Sequence, residues 1–209
     1  MRFLIQANGE VPSSSLLSSL YQRCNIFVAA DGGGNSAVAS GYQPDVVIGD
    51  LDSFSKENSG KSQIIHDPDQ ETNDLEKALQ YALHNGALNI DVVGATGLRT
   101  DQTLKNLSVM QQFSSRLQSL AFWDDRLFMT IIPDPYSITL PPGHLVSLFP
   151  LSGKVEGITT SGLRYPLNNE VLENGCRDGT SNEVLTGNVV VSHRSGALLF
   201  MTTTGKHLL

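Results

Sequence analysis

The sequence predicts an α/β N-terminal domain with a mostly parallel sheet, followed by an all-β C-terminal sandwich domain. Up to Trp123, short apolar runs alternate with helix-like segments, which is typical of a parallel sheet flanked by helices. After Trp123 the helical periodicity ends, and short β-type runs separated by Pro, Gly and Asn follow. We therefore predict a boundary near Asp124, with domains at residues 1–124 and 125–209.

Each half contains elements that can be predicted individually. Five apolar runs of the first half are predicted strands, at residues 3–5, 26–29, 46–48, 90–93 and 120–123. A first helix is marked by Leu16, Leu17 and Leu20. The clearest helix covers residues 73–84, where apolar residues recur at helical spacing and Asn85-Gly86 follows as a stop signal. A third helix begins near Asp101, with one face formed by Leu104, Leu107 and Met110. The clearest strands of the second half are residues 129–132, 145–149, 189–192 and 198–201.

The composition favours small-molecule ligands over nucleic acid. The 209 residues carry 14 basic and 21 acidic side chains, for a net charge of -7. Because counterion release needs clustered Lys and Arg, and the chain has no such run, we expect no nucleic-acid partner. No apolar stretch approaches the ~20 residues of a membrane span and the N-terminus is unlike a signal peptide, so we expect no membrane partner. The distant cysteines Cys24 and Cys176 favour a reducing, cytoplasmic location.

A glycine run, ADGGGN at residues 30–35, directly follows the second predicted strand. Its three glycines let the backbone approach a ligand closely, and a helix beginning at Ser36 would aim its amides at an anion. The same run is equally compatible with a tight turn from strand to helix. It matches neither GxGxxG nor GxxxxGKS/T, so the common dinucleotide and P-loop motifs are not supported.

Two acidic residues follow the third predicted strand, in the segment GDLDS at residues 49–53. In an extended chain Asp50 and Asp52 would point to the same side, about 6 to 7 Å apart. Two bare charges at that distance repel by about 2 to 3 kcal/mol at an effective dielectric of 20, and a bound Mg²⁺ would reverse that repulsion. The alternative is a solvated acidic turn, but the position after an apolar strand favours a metal site.

Two further segments add phosphate-binding chemistry. In GATGLRTD at residues 94–101, Arg99 could grip a phosphate bidentately, and Asp101 could be a metal ligand or a helix cap. In DPDQETND at residues 67–74, four acids precede the long helix, more than stabilisation by the helix dipole explains. Asp74 and Lys77 fall on one side of that helix, so both could reach a metal-bound phosphate. No GxSxG, HExxH or Cys–His arrangement is present, which leaves phosphate transfer as the favoured chemistry.

In order and spacing, these segments resemble the signature blocks of the thiamine pyrophosphokinase family. The matching segments are ADGGGN, GDLDS, DQETNDLEKAL (69–79), GATGLRTDQ (94–102), TTSGLRYPL (159–167) and GTSNE (179–183). The resemblance spans nearly the whole chain. It implies transfer of a pyrophosphoryl group from ATP to thiamine, giving thiamine diphosphate and AMP, with Mg²⁺ required. It also implies a homodimer with active sites at the subunit interface.

The resemblance also implies roles for individual residues. The metal and phosphate carboxylates would be Asp50, Asp52, Asp74 and Asp101, one of which would orient or deprotonate the attacking hydroxyl. The transferring phosphates would be bound by Arg99 and Lys77. The ATP site would be lined by Asp31, Gly32, Gly33, Asn35, Thr96 and Gly97. Thiamine would be held by Gln70, Tyr165, Ser181 and Asn182, with Tyr165 either a ring-stacking partner or an ordinary half-buried strand residue.

Two positions depart from the commonest pattern of the family. Gln102 stands where many members carry His, which argues against a general base there. Asn73 replaces the usual Thr before Asp74, so the contact behind that acid is not predictable from the family. The alternatives to a pyrophosphokinase are a kinase that transfers a single phosphoryl group and a non-catalytic sensor of thiamine or nucleotide. Retention of the acids together with Arg99 argues against a sensor.

Overall fold

The computed structural model describes all 209 residues, which form two compact units, residues 1–125 with Leu209 and residues 126–208. The strands of the first unit are β1 (Arg2–Gln6), β2 (Ile26–Ala30), β3 (Val46–Gly49), β4 (Gln63–His66), β5 (Asn89–Val93) and β6 (Ser119–Trp123). Its helices are α1 (Ser14–Arg23), α2 (Gly33–Ala39), α3 (Asp74–His84) and α4 (Thr100–Ser114). The strands pair in parallel in the order β6-β5-β1-β2-β3-β4.

The strand order reverses at β1, which has β2 on one side and β5 on the other. From β1 the chain proceeds through β2, β3 and β4 towards one edge, and β5 and β6 lie on the opposite side. In open parallel sheets such a reversal leaves a crevice beyond the carboxyl ends of the strands, where ligands bind. The segments that follow β1 and β5 are therefore positioned to form a site.

Helix α3 covers the sheet over β1, β2 and β3. It begins at Asp74, with Asn73 as its N-cap, and it buries Leu75, Ala78, Leu79 and Ala82. This is the apolar face that the sequence predicts at helical spacing, and the prediction is confirmed. The first turn of α3 consequently points towards the carboxyl ends of the strands, since α3 leads back into the parallel strand β5.

Two predictions about the other helices are wrong. Helix α2 begins at Gly33 rather than Ser36. Helix α4 buries Asn106, Val109, Met110 and Phe113, whereas Leu104, predicted on the same face as Met110, is 64% exposed. The true buried stripe follows the i, i+3, i+4, i+7 spacing, but a polar residue occupies its first position and hides it from a search for apolar residues.

The second unit consists of antiparallel strands only. They are β7 (Leu127–Ile131), β8 (Tyr136–Thr139), β9 (Leu145–Pro150), β10 (Lys154–Ser161), β11 (Glu170–Glu173), β12 (Gly179–Glu183), β13 (Asn188–Ser192) and β14 (Leu198–Thr203). Two four-stranded arrangements, β12-β9-β14-β7 and β11-β10-β13-β8, share one apolar core that includes Leu148, Ile158, Val191 and Phe200. Side chains from both sheets fill this core, as in a sandwich.

The predicted fold class is confirmed: a parallel α/β unit is followed by an all-β unit. The structure adds strands that lack a long apolar run. Strand β4 pairs only with β3 and is largely exposed, and the second unit has β8, β10, β11 and β12 besides the four predicted strands. No helix has the length and apolar character needed to cross a membrane.

Candidate active site

A cleft of about 580 Å³ opens where the strand order reverses in the first unit. The residues after β1 (Ala7, Asn8 and Gly9) and after β5 (Gly94, Ala95 and Gly97) line it, together with acidic residues from three other segments. The two backbones approach closely, because the Gly9 amide donates a hydrogen bond to the Gly94 carbonyl (2.8 Å). The cleft therefore lies where the sheet topology predicts a ligand site.

Three carboxylates converge on this cleft. Asp31 follows β2, Asp50 follows β3 and Asp74 is the first residue of α3, and each has a carboxylate oxygen within 4.8 Å of one from each of the others. Gly49 makes this convergence possible, because a side chain there would collide with both Asp31 and Asp74. Three oxygen donors at this separation form a donor set suited to a hard divalent cation.

Asp31 supports the loop of residues 50–54 as well as facing the cleft. Its two carboxylate oxygens accept hydrogen bonds from the backbone amides of Phe54 (3.2 Å) and Ser53 (3.3 Å). Burial, with the negative charges of Asp74 and Asp52, raises the pKa of Asp31, while hydrogen bonds to its carboxylate oppose that rise. Asp31 was predicted to line the ATP site and was not among the predicted metal ligands.

Asp50 and Asp52 do not have the extended geometry predicted for them. Leu51 between them has a φ of 60°, so the chain turns, and the Asp52 amide donates to Asp50 Oδ1 (3.3 Å). Asp50 also accepts a hydrogen bond from Gln70 Nε2 (3.0 Å), and chiefly this bond lowers the pKa of Asp50. Asp52 lines the cleft outside the group of three, with Oδ1 accepting from the Ser53 hydroxyl (2.8 Å).

The same loop is anchored on its core side by apolar side chains. Phe54 is buried in a small cluster with Ala29 and Val47, and Leu51 packs against this cluster. The turn at Leu51 thus sends its side chain towards the core, while the neighbouring acids face the cleft. The loop of residues 50–54 is therefore fixed on one side by hydrogen bonds to Asp31 and on the other by this apolar cluster.

Lys77 brings a positive charge to the acidic group. It is only 3% exposed, and its Nζ donates to the Asp67 carbonyl (3.0 Å) and to Asp74 Oδ1 (3.3 Å). Asp74 and Lys77 thus lie on one side of α3, as predicted from their spacing. Lys77 also lines the cleft.

Arg99 and Asp101 form a bidentate ion pair at the edge of the cleft. Arg99 Nη2 and Nε lie 2.5 Å and 3.1 Å from the two oxygens of Asp101, and both side chains are largely exposed. The hydrogen bonds lower the pKa of Asp101 and raise that of Arg99. Arg99 lines the cleft and is itself the N-cap position of α4, so Asp101 is not the helix cap.

The residues predicted to line an ATP site separate into two groups. Asp31 and Gly97 line the cleft, whereas Gly32, Gly33, Asn35 and Thr96 do not. The side chain of Asn35 instead holds the neighbouring loop, since it donates to the Ser53 carbonyl (2.8 Å) and accepts from the Ser55 amide (2.9 Å). The Thr96 hydroxyl donates to Asp124 Oδ2 (3.0 Å).

Two family models match the chain. "Thiamin pyrophosphokinase, catalytic domain" matches residues 17–121, and "Thiamin pyrophosphokinase, vitamin B1 binding domain" matches residues 133–198. The chain belongs to the thiamin pyrophosphokinase family. The family resemblance of the sequence motifs is confirmed.

Individual relatives match this chain over most of their length. Thiamin pyrophosphokinase 1 of Caenorhabditis elegans is 29% identical, over 94% of this chain and 86% of its own. Thiamine pyrophosphokinase 1 of Oryza sativa subsp. japonica is 30% identical, over 79% of this chain and 74% of its own. The crystal structure of thiamine pyrophosphokinase from Bacillus subtilis aligns with a TM-score of 0.85 at 22% identity, covering 99% of this chain and 100% of that chain, which supports the fold.

In this thiamin pyrophosphokinase family member, the predicted thiamine residues are divided between the two units. Gln70 lines the cleft of the first unit. In the second unit the Asn182 side chain accepts a hydrogen bond from the Tyr165 amide (3.1 Å) and donates one to the Tyr165 carbonyl (2.7 Å). Tyr165 itself is 65% exposed. The Ser181 amide donates to the Ser147 hydroxyl (3.0 Å). Asn182 therefore holds the backbone of Tyr165 through its own side chain.

Sequence reasoning missed several residues of the cleft, among them three with polar side chains. Asn8, Lys105 and Asn106 line it. Lys105 Nζ lies 3.3 Å from Glu76 Oε2, and Asn106 is 7% exposed. The available signal was their position: Asn8 follows the first strand, and the other two lie in the second turn of α4, just after the 94–101 segment.

Proposed function

We propose that this protein transfers the pyrophosphoryl group of ATP to the hydroxyethyl oxygen of thiamine, giving thiamine diphosphate and AMP. The observation that carries the proposal is the convergence of three carboxylates and the buried Lys77 in the cleft of a chain from this family. In the reaction the thiamine oxygen bonds to the β-phosphorus of ATP, and the bond from that phosphorus to the bridging oxygen of AMP breaks. The thiamine hydroxyl loses its proton.

Mg²⁺ is part of the proposal, because the donors in the cleft suit it. Asp31, Asp50 and Asp74 would hold the ion, and Asp52 lies in the same loop. This assignment adds Asp31 to the predicted metal ligands and leaves Asp101 as the partner of Arg99. When bound, Mg²⁺ would neutralise negative charge on the phosphate oxygens.

The chain's own cations and amides would hold the polyphosphate. Lys77 and Arg99 both line the cleft and would bind its oxygens, while Gly97 offers a close approach of the backbone. Positive charge fixed before the reaction stabilises the charge that develops as the phosphate bond breaks. One of the clustered carboxylates would accept or orient the thiamine hydroxyl proton.

Thiamine recognition is assigned to Gln70, Tyr165, Ser181 and Asn182. An exposed tyrosine ring with a backbone fixed by Asn182 is suited to stack on an aromatic heterocycle. A homodimer with shared active sites and a cytoplasmic location complete the proposal; the dimer rests on the family resemblance and is testable by light scattering. Two unpaired cysteines are compatible with a reducing compartment.

The deciding experiment incubates purified protein with thiamine, ATP and Mg²⁺ and separates the nucleotides by chromatography. We expect AMP and thiamine diphosphate in equal amounts, with neither formed when thiamine is omitted or when EDTA is added. Release of ADP with thiamine monophosphate would instead establish a simple kinase. Binding of thiamine and ATP without any product would establish a sensor.

A further inference from the structure

A chain of hydrogen bonds joins the start of α3 to the loop after β5. Asn73 caps α3 by accepting the Glu76 amide at Oδ1 (3.0 Å), and its Nδ2 donates to Asn106 Oδ1 (2.8 Å). Asn106 in turn donates from Nδ2 to the Ala95 carbonyl (2.8 Å). Two amide side chains thus connect α3, α4 and the β5–α4 loop without an intervening solvent molecule.

The position of Asn106 makes this connection unusual for a helix core. The residue is 7% exposed and opens the stripe with which α4 packs, ahead of Val109, Met110 and Phe113. A buried amide costs free energy unless it is hydrogen-bonded, and here both its oxygen and its nitrogen have partners. An apolar residue would pack at this position without that requirement, so the amide serves something other than packing.

The two ends of the connection carry the chemistry of the proposed reaction. Asp74 and Lys77 lie in the first turn of α3, directly after Asn73. Gly94, Ala95 and Gly97, from the loop after β5, line the same cleft as Asp74 and Lys77. The bridge therefore connects the helix turn that carries the acid and the cation to the backbone of that loop.

We propose that Asn106 is a positioning residue, and that the Asn73–Asn106–Ala95 bridge sets the distance between Asp74 and Lys77 on one side and the β5–α4 loop on the other. The inference rests on the proposed pyrophosphate transfer, since it is the polyphosphate and its cation that occupy this gap. The bridge needs both polar atoms of the Asn73 side chain, one to cap the helix and one to reach Asn106. A threonine hydroxyl can cap the helix but has no second polar atom that reaches Asn106.

A second contact between the same helices provides a matched control. Glu76 accepts a hydrogen bond from Gln112 Nε2 (2.9 Å), two turns further along α4 and outside the cleft. The Gln112→Leu variant cuts this contact but leaves the Asn73–Asn106 bridge intact. It loses helix-to-helix stability without altering the gap.

The test compares Asn106→Leu and Asn73→Thr with Gln112→Leu, at a temperature where thermal unfolding shows all three folded. We expect the first two variants to lose kcat about 10- to 100-fold, with the KM for thiamine nearly unchanged. Gln112→Leu should keep its kcat although its Tm falls. The kcat of the double variant of Asn73 and Asn106 should be no lower than that of the less active single variant, because either substitution alone already breaks the bridge.

A second readout does not depend on turnover. Binding of Mn²⁺ alone, followed by electron paramagnetic resonance, should weaken several-fold in Asn106→Leu and Asn73→Thr and stay unchanged in Gln112→Leu. If the unsubstituted protein binds Mn²⁺ but forms no AMP, the proposed function fails. The role of the bridge is then still tested by comparing the Mn²⁺ affinities of the variants. Unaltered kcat and Mn²⁺ binding in Asn73→Thr, which keeps the helix cap, would overturn the proposal even if Asn106→Leu failed to fold.

Discussion

Gly49 packs directly against Asp31: a Cβ atom on Gly49 would lie 2.8 Å from the Asp31 Cβ and 3.0 Å from Asp74 Oδ1. Contacts below about 3 Å force one partner to move, so the space beside Gly49 is already taken by the two acids. The convergence of carboxylates therefore depends on a residue that has no functional group of its own.

Gly49→Ala should separate the acids and reduce kcat at least about 10-fold, since small displacements of reacting groups are costly. Overpacking of this kind destabilises by about 1 to 3 kcal/mol, so urea unfolding should show a moderate loss. Gly187→Ala is the control, because the nearest atom to its added Cβ is 3.8 Å away. Normal kinetics in Gly49→Ala would mean that the acids need not converge.

Asp50→Asn and Asp101→Asn should fail in different ways. Loss of Asp50 removes an oxygen donor from the converging group, so we expect a fall in kcat of about 100-fold or more and a higher Mg²⁺ requirement. Loss of Asp101 removes the bidentate partner that holds the Arg99 guanidinium in place, so the KM for ATP should rise while the Mg²⁺ requirement stays constant. Steady-state kinetics with varied Mg²⁺ and ATP distinguish them.

Glu57→Gln removes an exposed acid outside the cleft and should match the unsubstituted protein in the same measurements. Identical Mg²⁺ profiles for the two aspartate variants would contradict the separate roles assigned to Asp50 and Asp101.

Asp91 should be important for stability and not for turnover. This residue of β5 is 4% exposed and accepts hydrogen bonds from Arg2 (2.8 Å), Arg23 (3.0 Å) and the Trp123 indole (2.8 Å). Removing one partner of a buried ion pair costs about 3 to 5 kcal/mol, so Asp91→Ala should show that loss in urea unfolding. Asp91→Asn, which keeps the shape and one acceptor, should lose less. A loss below about 1 kcal/mol in Asp91→Ala would contradict this reading.

The pair of His144 and His207 should make the stability depend on pH. Their rings meet edge to face with centroids 4.5 Å apart, and burial together with the charge of His144 lowers the pKa of His207 below its ordinary 6.5. Because the unfolded chain binds this proton more readily, the contribution to stability is present above about pH 6.5 and is lost as the pH falls through the folded pKa. His207→Phe keeps a ring but cannot titrate, so its Tm should fall less between about pH 7 and pH 5. Parallel Tm profiles would refute the assignment.

The sequence predicts the parts of this molecule whose signals are local. Buried parallel strands are mostly apolar, which is why β1, β2, β3, β5 and β6 could be recognised. Strand β4 could not, because an edge strand that is mostly exposed has no reason to be apolar. In α4 the polar Asn106 opens the buried stripe, and its partners Asn73 and Ala95 lie 33 and 11 residues away in sequence.

In the candidate site, too, some residues have a local sequence signal and others depend on tertiary structure. Asp50 and Asp74 were predicted from their positions after a strand and at a helix start. Asp31 joins them because β2 and β3 are adjacent and parallel, with Ala30 opposite Ile48, so the residues that follow both strands emerge side by side. Strand adjacency is a tertiary property, and the turn at Leu51, which separates Asp52 from Asp50, depends on the apolar cluster beneath it.

That apolar cluster bears on affinity as well as on shape. Because Leu51 and Phe54 are seated on Ala29 and Val47, the loop that carries Asp50 reaches its final conformation when the chain folds, not when a nucleotide arrives. Ordering a flexible loop upon binding costs conformational entropy and so lowers the affinity for any ligand. We therefore expect these two hydrocarbon side chains, which lie outside the cleft lining, to strengthen binding by rigidity, and substitutions that loosen them to weaken affinity.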